Sequence, residues 1–508
     1  MRTTKILVMA ASLALVSACG QKTEQAPVAA DSGVGSDAGG MVLPATTSND
    51  TAREHYMAGW ADFENSRATS ANNKFLKASA ADPSFAAAHL MAALTSASTE
   101  SFVSNLGNAT AHKAGASRGE QLMITAWEKA LSADAAGRIA AMQELTTIHS
   151  DSARAWVFLG DAYGNVNNSA DARAAYEKAI ELDASLVPAH INFGNNLLTQ
   201  EPKDFAMAEA HFGHAVELTP NEPNPHDLLG DVHRAQGNLE AAYKDYTKAA
   251  ELAPDLGSPL QQRGHVNSFL GNYDEARADY TRSAELEDAR GSNAGGFFLI
   301  YRAYVSLHEG NHDAAITELR EIADAADAYS EGAADMKAFA LSNVALIAAE
   351  AKDADAASQA IADAAEIMRQ QANALDSDDV RDAQEATIAY MEGLLAARMK
   401  DSAGAAAKAA EFEGHVASSS NPKKLERKHE ILGMDAFCQE DYASAIEHFS
   451  AGDHLNNMYT KYYLARTHEA AGNAEEAARL YDELAVWNFN GPGYAMFRKE
   501  ILEKAGST

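Results

Sequence analysis

Four glycines, Gly160, Gly194, Gly230 and Gly264, follow one another at intervals of 34, 36 and 34 residues. Each is followed by an alanine and, four positions later, by an aromatic residue: Ala172/Tyr176, Ala208/Phe212, Ala242/Tyr246 and Ala276/Tyr280. A period of this length means one supersecondary unit used repeatedly. Residues four apart share a helix face, so each alanine and ring lie on one apolar stripe. One unit cannot bury such a stripe alone, and the next unit supplies the missing surface. The longer interval fits an insertion of two residues at "QEPKDF", in a turn between helices. Gly237-Asn238 and Gly271-Asn272 mark further turns within units, and Pro220 and Pro254 close two of them because proline cannot donate into a following helix.

The period extends both ways. Upstream, Gly59, Ala71, Phe75, Ala78 and Pro83 form one unit, and residues 86–150 hold about two weaker ones. Within these, "GEQLMITAWEKAL" reads as an amphipathic helix burying Leu122, Ala126, Trp127 and Leu131. Downstream, Gly310/Ala315/Leu319, Ala345/Ala357/Ile361, Gly433/Ala445/Phe449 and Gly472/Ala477/Tyr481 define units, and Gly393/Ala405 is a poor match. Roughly eleven units result, and "GYAMFRKEILEKAG" reads as a closing helix.

Trp156, Leu159, Gly160 and Tyr163 reproduce the W-x₂-L-G-x₂-Y opening of a tetratricopeptide repeat (TPR), with Ala172 and Tyr176 at the spacing of its second helix. The chain therefore resembles TPR proteins from about residue 52 onward, most closely over 153–290. The resemblance implies an all-α fold, a TPR-type α-solenoid in which helix pairs build a right-handed superhelix. "DARGSNAGG" and "VASSSNPKK" read as breaks, giving a body at 52–290, a middle block at 296–418 and a C-terminal block at 424–508. One continuous superhelix is expected.

The N-terminus is of another kind. Arg2 and Lys5 precede an apolar run from Ile6 to Val16, too short to span a bilayer and typical of a secretory leader. Val16-Ser17-Ala18-Cys19 resembles the lipobox of bacterial lipoproteins, which implies cleavage after residue 18 and lipidation of Cys19. Gly20 in place of an aspartate implies, by the habit of that family, an outer-membrane lipoprotein in the cell envelope, facing the periplasm. Several acyl chains, at about 0.8 kcal/mol per buried CH₂, make a stable anchor. Residues 20–50 lack aromatic residues and are rich in Gly, Ala, Ser and Thr, so a flexible linker of ~30 Å reach is expected over 19–50.

Lys+Arg number 41 against 72 Asp+Glu, a net charge of −31, which disfavours nucleic acid as a partner. Of two cysteines, only Cys438 remains beside Cys19, so no disulfide framework supports the fold. Cys438 reads as a buried, inert thiol within a helix.

The resemblance places the first helix of each pair along a concave groove, where TPR proteins hold a peptide or partner segment. On this chain the groove positions are Asp161, Asn165, Asn195, Asp227, Asp231, Arg234, Gln261 and His265. One branch of the family clamps a C-terminal carboxylate with Lys, Arg and Asn. Asn195 matches one clamp position, but Val157, Ile191, Asp227 and Gln261 stand where basic residues belong, so a basic or neutral polar ligand fits better.

Other chemistry finds little footing. His211 and His214 share a face and His226 and His233 lie seven apart, but a zinc site needs three or four converging ligands; His226 reads as packed and His211 and His214 as solvated. No nucleophile elbow, P-loop or cofactor motif is present, so no cofactor is expected. Glu475-Glu476 and Asp378-Asp379 stand at helix starts, where they favour the macrodipole. The expectation is a non-catalytic, lipid-anchored scaffold binding a protein or peptide. The alternatives are an enzyme or subunit acting on an envelope polymer, or a glycan or small-ligand binder using Trp127, Trp156 or Trp487; Trp156, as a repeat residue, is expected in the core and Trp487 exposed.

Overall fold

The computed structural model describes residues 45–64, 67–329 and 331–505; Cys19, the leader and most of the linker lie outside them. Among the described residues there are twelve helical hairpins and a closing helix, with no strand. They divide into two compact units: one runs to Pro220 and includes Ser418–Pro422, the other holds Asn221–Ala417 and the chain from Lys423. The first unit contains α1 (Asp50–Glu64), α2 (Ala68–Ala81), α3 (Ala86–Thr95), α4 (Thr99–His112), α5 (Arg118–Leu131), α6 (Ala135–Ile148), α7 (Ala153–Gly164), α8 (Ser169–Leu182), α9 (Val187–Thr199) and α10 (Phe205–Leu218). The second contains α11 (Pro223–Ala235), α12 (Leu239–Leu252), α13 (Ser258–Leu270), α14 (Tyr273–Ala289), α15 (Ala294–His308), α16 (His312–Ala325), α17 (Ala333–Glu350) and α18 (Ala354–Leu375). It continues through α19 (Asp378–Arg398), α20 (Ser402–His415), α21 (Glu426–Cys438), α22 (Tyr442–Ala451), α23 (Met458–Ala470), α24 (Ala474–Ala485) and α25 (Pro492–Ala505).

The division follows a different line from the composition breaks. "DARGSNAGG" is only the link between α14 and α15, whereas the units part at Pro220, where composition does not change. The linker also ends earlier than expected. The Thr46 amide donates to Glu120 Oε1 at 2.9 Å and the Thr47 hydroxyl to Asp82 Oδ2 at 2.6 Å. Glu120 belongs to a capping box with Ser117 at the start of α5, so its carboxylate was already fixed in place to receive the incoming strand.

The period is explained by one contact. A Cβ added to Gly160 would stand 2.5 Å from the ring of Tyr176, and the same holds for Gly194 and Phe212 (2.5 Å), Gly230 and Tyr246 (2.6 Å), Gly59 and Phe75 (2.7 Å), Gly264 and Tyr280 (2.8 Å) and Gly433 and Phe449 (2.8 Å). In these six hairpins the second helix lays its ring on the first helix's α-carbon, at a distance no real Cβ tolerates. Where the ring is replaced by the smaller Leu319 or Ile361, the glycine becomes Ala303 or Ala345, all four buried. Other hairpins depart from this: the last pairs Ala465 with Tyr481, and a Cβ on Gly393 of α19 would meet Ile431 of α21. Gly310 and Gly472 therefore do not hold the packing position assigned to them from sequence.

They serve the turn instead. Most turns place one left-handed residue before the cap of the second helix, supplied by Gly237, Gly271, Gly310 and Gly472 (φ 79°, 80°, 79° and 82°) and at strained cost by Ala133, Asn167, Lys352, Lys400 and Glu440 (φ 44°, 54°, 63°, 59° and 65°). An Asn or Asp follows and accepts the third amide of the helix at Asn168, Asp204, Asn238, Asn311, Asp353, Asp401 and Asp441. The expected insertion lies in the α9–α10 turn, residues 200–204, against 236–238 between α11 and α12.

Two apolar assignments shift. The buried face of α5 is Leu122, Met123, Ile124 and Ala126, while Trp127 and Leu131 are half-buried. Trp156 is also half-buried, because its indole N–H must reach the Ser150 carbonyl, 3.0 Å away. His89 and His190 occupy the same place and engage the carbonyl six residues earlier, Pro83 O and Ala184 O, each at 3.0 Å. The position selects a ring N–H facing the end of the preceding hairpin, not bulk.

Gly230→Ala is expected to cost about 1–3 kcal/mol through overpacking against Tyr246. Gly213→Ala, in α10 with no neighbouring atom within 4 Å, is expected to stabilise by up to about 1 kcal/mol. Urea unfolding of both variants checks this; shifts of the same sign would mean the ring contact does not set the period.

Candidate functional site

The tyrosine of each second helix has a hydroxyl to satisfy, and the residue after the glycine receives it. Tyr176 OH donates to Asp161 Oδ1 at 2.7 Å, Tyr246 OH to Asp231 Oδ1 at 2.8 Å, and Tyr280 OH to His265 Nδ1 at 2.7 Å. Where the ring is a phenylalanine there is no hydroxyl to receive, and the place after the glycine is held by Trp60, Asn195 and Met434. Asp161, Asp231 and His265, expected to line a binding groove, are thus first of all members of their own hairpins.

In the first unit, Asp161 also accepts the Asn192 amide at 3.1 Å, and Asn165 donates to the Asp161 carbonyl at 2.7 Å. Asn165 is exposed and Asn195, whose amide reaches Ile191 O at 2.5 Å, is half-exposed. These two can meet a partner without rearrangement. Nearby, the Arg138 guanidinium lies 4.6 Å from the centre of the Trp127 ring.

In the second unit the predicted residues are covered. Arg234 is 2 % exposed, Gln261 0 % and His265 2 %. Arg234 donates to Asp231 Oδ1 at 2.6 Å, while its Nε and Asp227 Oδ1 are buried without a hydrogen-bond partner. Burial, then the charge of Asp231, pushes the Asp227 carboxyl up to about 7.

Part of the cover is the chain's own segment between α24 and α25, Val486 to Gly491. The Asn488 amide donates to the Arg234 carbonyl at 3.1 Å, and the Phe489 ring centre lies 5.0 Å beneath the Arg234 guanidinium. Asn490 sits in a row of matched donors. His308 Nε2–H donates to Asn490 Oδ1 (3.1 Å), Asn490 Nδ2 to the Tyr280 oxygen (3.2 Å), and Tyr280 OH in turn to His265 Nδ1. On the other side of the ring, His265 Nε2 faces the Gln261 side-chain amide nitrogen, and Gln261 Oε1 is buried without a hydrogen-bond partner. Beyond the segment, Tyr494 packs edge-on against Phe269, with ring centres 5.5 Å apart, and α25 rests on α15 and α17. Trp487, expected to be free, is half-buried with Lys461 5.6 Å from its ring centre. The sequence signal that was available is "WNFNGPGY": two amides flanking an aromatic residue just before the proline that opens α25.

The histidines expected to be solvated are partly buried. His211 Nδ1 lies 3.1 Å from His190 Nδ1, and burial with the neighbouring histidines pushes His211 down to about 4. A second such pair, His429 and His448, has the same 3.1 Å separation. Among the described residues no three His, Cys, Asp or Glu side chains converge as a metal site, and no helix is long and apolar enough to cross a membrane. Cys438 is half-buried, with its thiol pushed up by burial.

This geometry is that of a TPR-type α-solenoid. Tetratricopeptide-repeat models match residues 153–186, 258–289, 223–256 and 458–483. Among solved structures, a crystal structure of MamA is 20% identical, covers 34% of this chain and 92% of that one, and has a TM-score of 0.28. MamA from Desulfovibrio magneticus RS-1 is 18% identical over 34% of this chain and 97% of that one, with a TM-score of 0.29. YrrB, described as a TPR protein with an unusual peptide-binding site, is 21% identical over 36% of this chain and 91% of that one, with a TM-score of 0.26. No curated protein matches.

The row of bonds through Asn490 has a pH dependence. Burial, then the charge of Arg234 and of His308, holds His265 well below the ordinary histidine range, and burial pushes His308 to about 4. Tyr280 and Tyr301 face the same imidazole, with Asp231 and Asp227 beside Arg234. For the two histidines the released state binds protons from about pH 6.5 downward, so their contribution to docking is complete above that value and is lost as pH falls toward 4, opposed in part by the single Asp227 carboxyl, which takes up a proton near 7. Hydrogen exchange at residues 488–490, corrected for intrinsic rate, is expected to show protection lost over that window, with Asn490→Ala abolishing the dependence.

Proposed function

We propose that this chain is a non-catalytic scaffold, held by lipid on Cys19 at the outer membrane of a bacterial envelope and facing the periplasm, which binds a protein or peptide on the inner faces of its hairpins. The observation that carries the reading is the use of the polar residues. Asp161, Asp231 and His265 are occupied in holding their own tyrosines, while Asn165 and Asn195 stay open as amide hydrogen-bonding groups on successive hairpins. Amides presented by successive hairpins suit an extended segment, and the net charge of −31 favours a basic or neutral polar one over nucleic acid. The polymer-enzyme and glycan readings have less support, since Trp127 lies under Arg138 and Trp156 is tied to Ser150.

Crosslinking in the native envelope tests the reading. A specific protein partner is expected, with its yield falling at least tenfold in the Asn165→Ala/Asn195→Ala variant. An unchanged partner set, or turnover of an envelope polymer by the purified soluble part, would overturn it. Cys19→Ala is expected to move the protein from the membrane to the soluble fraction; a variant that still runs as a lipidated species contradicts the anchor.

A further inference from the structure

In the second unit the inner face is already occupied. The segment Val486–Gly491 is irregular, joins two helices, and approaches α11, α13, α14 and α15 through side-chain amides and one ring. Two of the residues it meets, Arg234 and His265, are ones the repeat pattern assigns to partner binding. Asn488 reaches its place only in a left-handed conformation, φ 46°, and is 3 % exposed. Its Oδ1 is held by Tyr494 OH at 3.2 Å, in the first turn of α25.

The fit is incomplete in a telling way. Arg234 Nε, on the guanidinium that the Phe489 ring covers, remains buried with no hydrogen-bond partner, as does Asp227 Oδ1 two turns earlier on α11. Each unmet buried polar atom costs about 1–3 kcal/mol, so an occupant that reached one of them would gain affinity. A segment that makes the same amide and ring contacts and also brings an acceptor to Arg234 Nε would bind this face better than the chain's own segment does.

We infer that residues 487–490 are a built-in occupant of a peptide site on α11–α15, whose external ligands are extended segments carrying an asparagine–aromatic–asparagine pattern. The inference rests on the reading of the hairpin inner faces as partner-binding and specifies the partner for one of them. Asn488 and Asn490 supply the two amide clasps, the ring lies under Arg234, and an incoming segment takes the same three places. The tethered occupant acts at an effective concentration on the order of millimolar, so it suppresses weak or poorly matched ligands and yields to well-matched ones.

The test uses the full chain and a fluorescently labelled synthetic peptide, AVWNFNGPGY, corresponding to residues 485–494. Asn488→Ala/Asn490→Ala releases both clasps, and circular dichroism establishes that the variant remains helical. If it does not, Phe489→Ala, which keeps both amides, replaces it in the same titration. Fluorescence anisotropy is expected to show the peptide binding the released variant at least tenfold more tightly than the wild type. A peptide with alanine at both asparagine positions is expected to bind neither. Equal affinity for wild type and variant, or no binding to the released variant, overturns the inference. Loss of the envelope crosslinks that depend on Asn165 and Asn195 is a separate result: those residues lie in the other unit, and its failure would sink the scaffold reading while leaving a peptide site on α11–α15 measurable.

Discussion

A ring resting on the α-carbon of a glycine is the contact on which the rest of this molecule depends. It recurs in six hairpins among the described residues. Bringing two helices that close removes about 150–250 Å² of aromatic surface from water per ring, at roughly 25 cal/mol per Å². It also fixes the depth at which the tyrosine hydroxyl ends, and so the chemistry of the next residue along the first helix. Asp161, Asp231 and His265 follow from Tyr176, Tyr246 and Tyr280; Trp60, Asn195 and Met434 follow from phenylalanines. The pattern of polar groups on the inner faces is thus largely a consequence of packing.

That consequence reshapes where recognition can occur. Side chains engaged by a tyrosine are poor ligands for anything else, since withdrawing them strands a buried hydroxyl. What remains for a partner is the open amides of the first unit and, in the second, the row through Asn490. A purely linear stack of repeats interacts only with its neighbours. The second unit departs from this: α25 follows α24 in sequence yet packs on α15 and α17, and Glu350 at the end of α17 takes Arg398 from α19 and Tyr463 from α23, the latter at 2.7 Å. Late hairpins are thereby coupled to early ones, and the segment 486–491 is carried into place by that closure.

Much of the fold was legible because it is local. The glycine–alanine–ring spacing located the hairpins, and Gly-Asn pairs located the turns. Gly310 and Gly472 were misplaced because glycine serves two unrelated demands here, absence of a Cβ against a ring and tolerance of positive φ, and spacing alone does not separate them. Trp156 misled because its position selects a ring N–H, as His89 and His190 show, and not apolar bulk. The site was half legible: the helix positions of Arg234 and His265 could be read, but their occupancy by Asn488 and Asn490 is a contact over more than two hundred residues, which no periodicity reports. Asn165 and Asn195 read as groove residues because their hairpins obey the repeat most closely.

The most direct test of the account is where residue 489 lies in the full-length protein. A photo-crosslinking benzoyl-phenylalanine at that position, irradiated at neutral pH, is predicted to give an intramolecular product joining the 487–494 segment to the peptide of α11 that contains Arg234. Products formed only with other molecules, or none to α11, would contradict it.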